Sequence, residues 1–266
     1  MNYLDDECEV IRHFQEIECS SVFFPVETVG AIDCFEKIHY IDNWDKWVNT
    51  SGKADSPPDF YSNEFKYMMD VMRVDDHAFI NKKGKLVNPT NMKESVIQKE
   101  LVNSGLLQSF PNAKIIVNPD TKLATHDDHN YGFYRDNFLR TIEHHKTKIK
   151  MYRKNHSQFK LVFFVMDESS AYFEKIENHN EGIIMKNEDL VGGKPHLHFW
   201  DEDFLESIEG TDIDYLVWYS PYKLLRSDMG ILDLPKVCVL DIKSLDFDKV
   251  KYSCANGQFR SLIYNR

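Results

Sequence analysis

Residues 159–168 read FKLVFFVMDE, and this stretch decides the fold class. Its apolar run, residues 161–166, does not alternate with polar side chains, and it ends at the acids Asp167 and Glu168. Strands that are covered on both faces have this pattern, whereas a strand with one face in water alternates. The stretch therefore predicts a central strand that is buried between layers of helices, as in an α/β protein.

Helical and strand patterns continue on both sides of this strand. An amphipathic helix is predicted over residues 6–18, and a longer one over residues 133–155, where apolar side chains recur at steps of four and three. Further buried strands are predicted over residues 67–74, 215–219 and 237–242. We expect a single α/β domain over residues 1–266, with a central mixed sheet flanked by helices and a weak joint at 180–195.

The helix over residues 133–155 carries most of a basic island in an otherwise acidic chain. The net charge is −11, yet residues 140–160 contain seven lysine and arginine residues and one acid, Glu143. Nucleic-acid phosphates are bound by clustered cations of this kind, although a solvated helix face has the same composition. The candidate phosphate contacts are Arg140, Lys146, Lys148, Lys150, Arg153 and Lys154. The apolar side, which we expect to be buried, consists of Phe138, Ile142, Ile149 and Tyr152, while Lys148, Arg153 and Lys154 are expected to be exposed.

The composition indicates a cytoplasmic protein without a membrane span. No apolar run approaches the roughly 18 to 20 residues that are needed to cross a bilayer. The first seven residues include the acids Asp5, Asp6 and Glu7 and no basic residue, whereas a signal peptide begins with basic residues. The five cysteines include no CxxC pair and indicate reduced thiols rather than metal ligands.

Two aspartates are the most suggestive candidates for chemistry. Asp59 follows Pro58, and Asp70 lies inside the apolar strand predicted over residues 67–74, about one hairpin later. Carboxylates that meet on neighbouring strands form a site for a hard cation, because Mg²⁺ prefers oxygen ligands. Such an ion can activate water and stabilise the leaving oxygen of a phosphodiester. The sequence therefore predicts an Mg²⁺ site at Asp59 and Asp70.

This order of acids, long amphipathic helix and buried strand resembles the PD-(D/E)xK nuclease superfamily. The resemblance implies a restriction-endonuclease-like core and a lysine two residues after the second acid, but Met72 occupies that position. Glu64-Phe65-Lys66 has the literal spelling of the motif, so Lys66 is the first candidate for the lysine. In this superfamily the lysine also migrates to other elements of the fold.

The resemblance implies a metal-dependent nucleic-acid-processing protein that acts on DNA or RNA. Asp59 and Asp70 would hold Mg²⁺, and Lys66 would support the attacking water. The alternative is a catalytically degenerate form, a partner-binding or scaffold protein of prophage or accessory-genome type. In the purely structural interpretation, Asp59 caps a turn and Asp70 pairs with Arg73 or another cation.

Two groups of histidines point to a different enzyme class. Residues 126–129 read HDDH, and His196 and His198 would share one face of a strand. Imidazole and carboxylate groups suit zinc, iron or manganese. Neither group is a complete ligand set, so a His/Asp metal-dependent enzyme requires a composite site. Polar loop residues and a solvated strand edge are the simpler interpretation.

Overall fold

The computed structural model describes most of the chain. It covers residues 7–51, 58–105, 109, 129–174, 195–227, 230–252 and 259–261. The helices are α1 (Glu7–Gln15), α2 (Val29–His39), α3 (Pro89–Asn103), α4 (Tyr131–Lys146), α5 (Ile149–Asn155), α6 (Glu202–Glu206) and α7 (Phe247–Val250), with 3-10 turns at Cys19–Ser21, Ile41–Lys46 and His198–Trp200. The strands are β1 (Val22–Phe23), β2 (Val48–Asn49), β3 (Phe60–Ser62), β4 (Tyr67–Val74), β5 (Phe79–Ile80), β6 (Leu86–Val87), β7 (Lys160–Asp167), β8 (Tyr172–Glu174), β9 (Tyr215–Tyr219), β10 (Leu224–Ser227), β11 (Gly230–Asp233), β12 (Val237–Asp241) and β13 (Phe259–Ser261).

A mixed sheet of seven strands forms the centre of the molecule, in the order β1-β12-β9-β7-β4-β3-β2. The middle strands β9, β7 and β4 are parallel. β12 is antiparallel to β9, and β3 and β2 extend the other side as antiparallel neighbours. Because a tight turn cannot join parallel strands, the chain crosses from β4 to β7 through α4 and α5. This is the predicted α/β architecture of a mixed sheet flanked by helices.

One face of the sheet packs against α4, α5 and α6. Met68 and Met72 of β4 belong to this core cluster, together with Phe138 of α4 and Trp218 of β9. The rings of Phe138 and Trp218 are stacked, with 4.6 Å between their centroids. This packing fixes α4 over the middle of the sheet.

Helices α1 and α2 cover the opposite face. Phe14 of α1 contacts Phe164 of β7 edge to face, with 5.0 Å between ring centroids, and Met69 and Val71 of β4 lie in the same cluster. Side chains along a strand alternate between the two faces of a sheet. Because both faces are covered, β7 is apolar at every position from 161 to 166, as the sequence indicates.

The helix that is predicted over residues 133–155 is two helices. The N–H of Lys148 donates to the carbonyl of His145 at 3.0 Å, and the N–H of Met151 donates to the carbonyl of Lys148 at 2.9 Å. Bonds between residues three apart mark a tighter turn than an α-helix, so the prediction of one continuous helix is wrong. The apolar spacing continues from α4 into α5. The predicted buried residues Phe138, Ile142, Ile149 and Tyr152 are all buried.

Some predictions fall on residues that the structure does not describe. The joint predicted at 180–195 lies outside the described residues, apart from Pro195, and so do residues 126–128 of the first histidine group. Within the described ranges, no helix combines the length and apolar character needed to cross a lipid bilayer.

Candidate active site

Strand β4 carries one carboxylate among its apolar side chains. Asp70 lies between Met68 and Met72 on the face of the sheet that α4 and α5 cover, and it is only 2% exposed. Its Oδ2 accepts hydrogen bonds from Nδ1 of His145 at 2.5 Å and from the hydroxyl of Tyr152 at 2.8 Å. A buried carboxylate needs such partners, because an unpaired charge in this position is costly.

Asp59 lies immediately before β3 and next to Asp70. The antiparallel register pairs Phe60 with Met69, so the residue before Phe60 comes beside the residue after Met69. Oδ2 of Asp59 accepts a hydrogen bond from the N–H of Val71 at 2.7 Å, so its carboxyl group is directed at the strand that carries Asp70. The structure thus brings together the two acids that the sequence singles out.

The two carboxyl groups differ in their affinity for a proton. Burial, followed by the charge of Asp70, raises the pKa of Asp59 from 3.8 to about 7. Burial also acts to raise the pKa of Asp70, but the hydrogen bond and charge of His145, the hydroxyl of Tyr152 and the charge of Lys148 outweigh it and lower that pKa. Of the two carboxyl groups, Asp59 is therefore the one that takes up a proton more readily as the pH falls.

The carboxylates open into a cavity of about 350 Å³, the Asp59–Asp70 cavity. β3 pairs only with residues 67–69 of β4, so the later part of β4 extends beyond the end of this partner. Side chains from α1 on one side and from α4 and the following turn on the other reach this edge. The polar residues that line the cavity are Glu7, Asp59, Asp70, Arg73, Thr141, His145 and Lys148.

Among the described residues that line this cavity, Lys148 is the only lysine. It lies in the turn between α4 and α5, where the helix break occurs, and its charge contributes to the low pKa of Asp70. Arg73 has another partner, because its Nη2 and Nε contact the carboxylate of Glu168 at 2.6 and 3.2 Å. Asp70 therefore pairs with His145 rather than with Arg73, the first partner that the purely structural interpretation names.

Lys66, the first candidate from the sequence, does not line the cavity. It occupies the turn between β3 and β4 with a φ of 60°, and its ammonium lies 5.2 Å from the centroid of the Phe159 ring. Along an extended strand, the four residues from Lys66 to Asp70 span roughly 13 Å. The motif spelled by residues 64–66 is a hairpin turn, and this explains why its lysine is remote from the acids.

Some side chains of the basic island form ion pairs or hydrogen bonds with other residues, and others are exposed to solvent. Arg153 is half-buried and bonds to Asp212 and Asp214 at 2.8 and 2.9 Å, so the expectation that it is exposed is wrong. Lys148 is also half-buried, since it faces the Asp59–Asp70 cavity rather than bulk solvent. Lys154 is exposed, as expected.

The remaining candidates for phosphate contact lie on the same two helices. Lys150 of α5 is exposed. In α4, Arg140 donates to the side-chain oxygen of Asn137 at 2.8 Å, and Lys146 contacts Glu143 and the carbonyl of Ser207. Lys150 and Lys154 are therefore the two exposed side chains among the six candidates for phosphate contact.

The second histidine pair is buried rather than solvated. His196 contacts Asp201 through Nε2 at 2.6 Å, and His198 lies 3.2 Å from the hydroxyl of Ser220. His198 belongs to a 3-10 turn and not to a strand, so the two imidazoles do not share a strand face. Burial lowers the pKa of both histidines, which favours neutral imidazoles that support the core.

His145, Tyr152 and Glu7 were not singled out from the sequence as site residues. His145 and Tyr152 follow the apolar spacing of the helix, and a polar group on an apolar face opposite a strand carboxylate is the signal that points to them. Glu7 gives no such signal, because an acid in the first turn of a helix is common.

Comparisons with protein-family models, with curated proteins and with solved structures find no significant match to this chain.

Proposed function

We propose that this protein is a metal-dependent hydrolase of nucleic-acid phosphodiesters, with its reaction centre in the Asp59–Asp70 cavity. The observation that carries the proposal is the meeting of Asp59, Asp70 and Lys148 in one open cavity. Two carboxylates and a lysine are the groups that the PD-(D/E)xK resemblance requires. Here the lysine comes from a helix turn instead of from the strand position that Met72 fills.

The donor atoms fit a hard divalent cation. Oxygen ligands from one or two carboxylates, completed by water and substrate phosphate, are what Mg²⁺ prefers. Asp59 and Asp70 would provide these ligands, and Glu7 supplies a third carboxylate in the same cavity. When bound, Mg²⁺ supplies an activated water and charge stabilisation for the leaving oxygen.

The side chains of the cavity have distinct tasks in this proposal. Asp59 would hold a cation as the carboxylate, the form that predominates above its pKa of about 7. His145 and Tyr152 hold Asp70 in place through their hydrogen bonds. Lys148 positions the attacking water or neutralises the phosphate as negative charge develops.

The order of elements also supports a restriction-endonuclease-like core. The acids lie on the hairpin of β3 and β4, the chain then crosses through α4 and α5, and β7 returns parallel to β4. The exposed cations Lys150 and Lys154 lie on α5, directly after Lys148. A nucleic-acid backbone bound by Lys150 and Lys154 would lie within about two helical turns of Lys148.

The proposal is tested by incubating the purified chain with single- and double-stranded DNA and RNA, with Mg²⁺, Mn²⁺ or a chelator. We expect cleavage that requires the metal and that falls by about 100-fold or more in Asp59→Asn. Lys66→Met is the matched control and should cleave like the wild type. If the wild type binds nucleic acid but cleaves none of these substrates, the protein is the degenerate, binding-only form. If it neither binds nor cleaves, the proposal is wrong.

A further inference from the structure

A second cluster of ligating side chains lies at the carboxyl end of β4, six residues beyond Asp70. Asp76 is the second residue after the strand, and its side chain is fully buried. Its Oδ1 lies 3.4 Å from Nε2 of His77 and 3.1 Å from Nδ1 of His129. The three ligating atoms lie within 4.8 Å of one another. None of these three residues lines the Asp59–Asp70 cavity.

We propose that Asp76, His77 and His129 form a separate site for a divalent transition metal of the zinc class. Metal bonds of about 2.0–2.2 Å to nitrogen and oxygen place neighbouring ligand atoms about 3.0–3.5 Å apart. The two distances from Oδ1 of Asp76 to the histidine nitrogens fall within this range with the backbone as it is. Two imidazoles and one carboxylate favour zinc, manganese or iron over Mg²⁺, which prefers oxygen ligands alone.

The carboxylate of Asp76 is held in the manner of a metal ligand. Its Oδ2 accepts three hydrogen bonds, from the N–H and hydroxyl of Ser170 at 2.9 and 2.6 Å and from the hydroxyl of Tyr172 at 2.7 Å. These donors orient the group and leave Oδ1 directed at the two histidines. Outer partners that fix a ligating carboxylate in this way are a general feature of metal sites.

The backbone around the histidines is fixed as well. The carboxylate of Asp75 accepts from the N–H groups of His77 and Ala78, both at 3.1 Å, and orders the turn after β4. The N–H of Asn130 donates to the carbonyl of Asp76 at 3.2 Å, which ties His129 to this turn. Both imidazoles are about one-sixth exposed or less, so an ion has a route from solvent.

The test uses the full chain after removal of metal with a chelator. Addition of Zn²⁺ should give one tightly bound ion and a higher unfolding temperature, since a ligand that binds the folded state stabilises it. Co²⁺ in its place should give a visible d–d absorption spectrum that reports nitrogen and oxygen ligation. The absence of both effects in the wild type would overturn the proposal, whatever any variant does.

Variants assign the ions to this cluster. His77→Gln and His129→Gln should each abolish the Co²⁺ spectrum, while Tyr172→Phe should weaken affinity by roughly 10- to 100-fold, as expected for an outer partner. His144→Gln, at an exposed histidine on α4, is the control and should bind Co²⁺ like the wild type. An unchanged spectrum in His77→Gln, or its loss in His144→Gln, places the ion elsewhere and contradicts the proposal. Nuclease activity is not a readout, so this result is independent of the proposed function.

Discussion

At the scale of single residues, the surroundings of Asp59 disfavour the charged form of its carboxyl group. Burial and the neighbouring charge of Asp70 raise its pKa in the folded protein from 3.8 to about 7. A group whose pKa is raised on folding stabilises the folded state below its unfolded pKa and loses that contribution as the pH rises through the folded value. A stable core alone gives no reason to keep such a group, whereas cation binding uses it.

Asp59→Asn should therefore stabilise the protein at pH 8. The amide oxygen still accepts the hydrogen bond of Val71, and the repulsion between two carboxylates disappears. We expect a gain on the order of 1 to 2 kcal/mol in the free energy of unfolding, a discounted value because the group is partly exposed to screening water. Urea unfolding at several pH values measures this gain, which should fall toward zero near pH 4.

Asp136→Asn, at an exposed acid of α4, is the control for that series. It should show no comparable rise in stability between pH 4 and pH 8. If Asp59→Asn destabilises the protein throughout this range, the carboxyl is a structural ligand of the turn and does not hold the proton.

Asp70 has the opposite electrostatic character. His145, Tyr152 and Lys148 lower its pKa, so its stabilising effect is present at neutral pH and is lost as the pH falls below the usual aspartate range. Asp70→Asn should cost about 2 to 3 kcal/mol at pH 7, because it weakens two hydrogen bonds to a charged group. Tyr152→Phe should cost about 1 kcal/mol. Equal stability of Asp70→Asn and wild type in urea unfolding would mean that these hydrogen bonds contribute nothing.

At the scale of elements, one stripe of α4 and the following turn forms the helical side of the cavity. The apolar spacing in the sequence predicts the buried face of both helices correctly, because burial depends on every third or fourth side chain. The same spacing gives no sign of the turn at residues 147 and 148. Lys148 follows His145 by three residues and precedes Tyr152 by four, so it lies on the same stripe as the two residues that contact Asp70.

Helix α5 should provide the salt-sensitive part of nucleic-acid binding. Each phosphate contact contributes a slope of roughly −0.9 to the dependence of log affinity on log salt for duplex DNA. Replacing both Lys150 and Lys154 by Glu should weaken binding and make this slope shallower by about 2. Fluorescence anisotropy at low and moderate salt measures the slope, with Lys66→Glu as the control. An unchanged slope in the double variant would assign the contacts to another surface.

At the scale of the whole molecule, the sequence predicts the architecture better than it predicts the site. The apolar runs of β7 and β4 indicate a sheet that is covered on both sides. The pairing of Asp59 with Asp70 is also within reach of sequence reasoning, since a short hairpin brings residues at its two arms together. The role of Lys148 is harder to predict from the sequence, because its position depends on how two helices pack over the sheet. The local sequence motif points to Lys66 instead.

The central claim is that a lysine from the helix turn completes the site of two aspartates. The most direct measurement is the rate of Mg²⁺-dependent cleavage under single-turnover conditions for Lys148→Met and Lys150→Met, on the best substrate of the wild type. The two lysines are two residues apart, but only Lys148 lines the cavity. We expect Lys148→Met to lose about 100-fold or more in rate, while Lys150→Met at saturating substrate stays within about twofold of the wild type, because it removes binding charge alone. Equal rates for the two variants would contradict the assignment of Lys148 to the reaction.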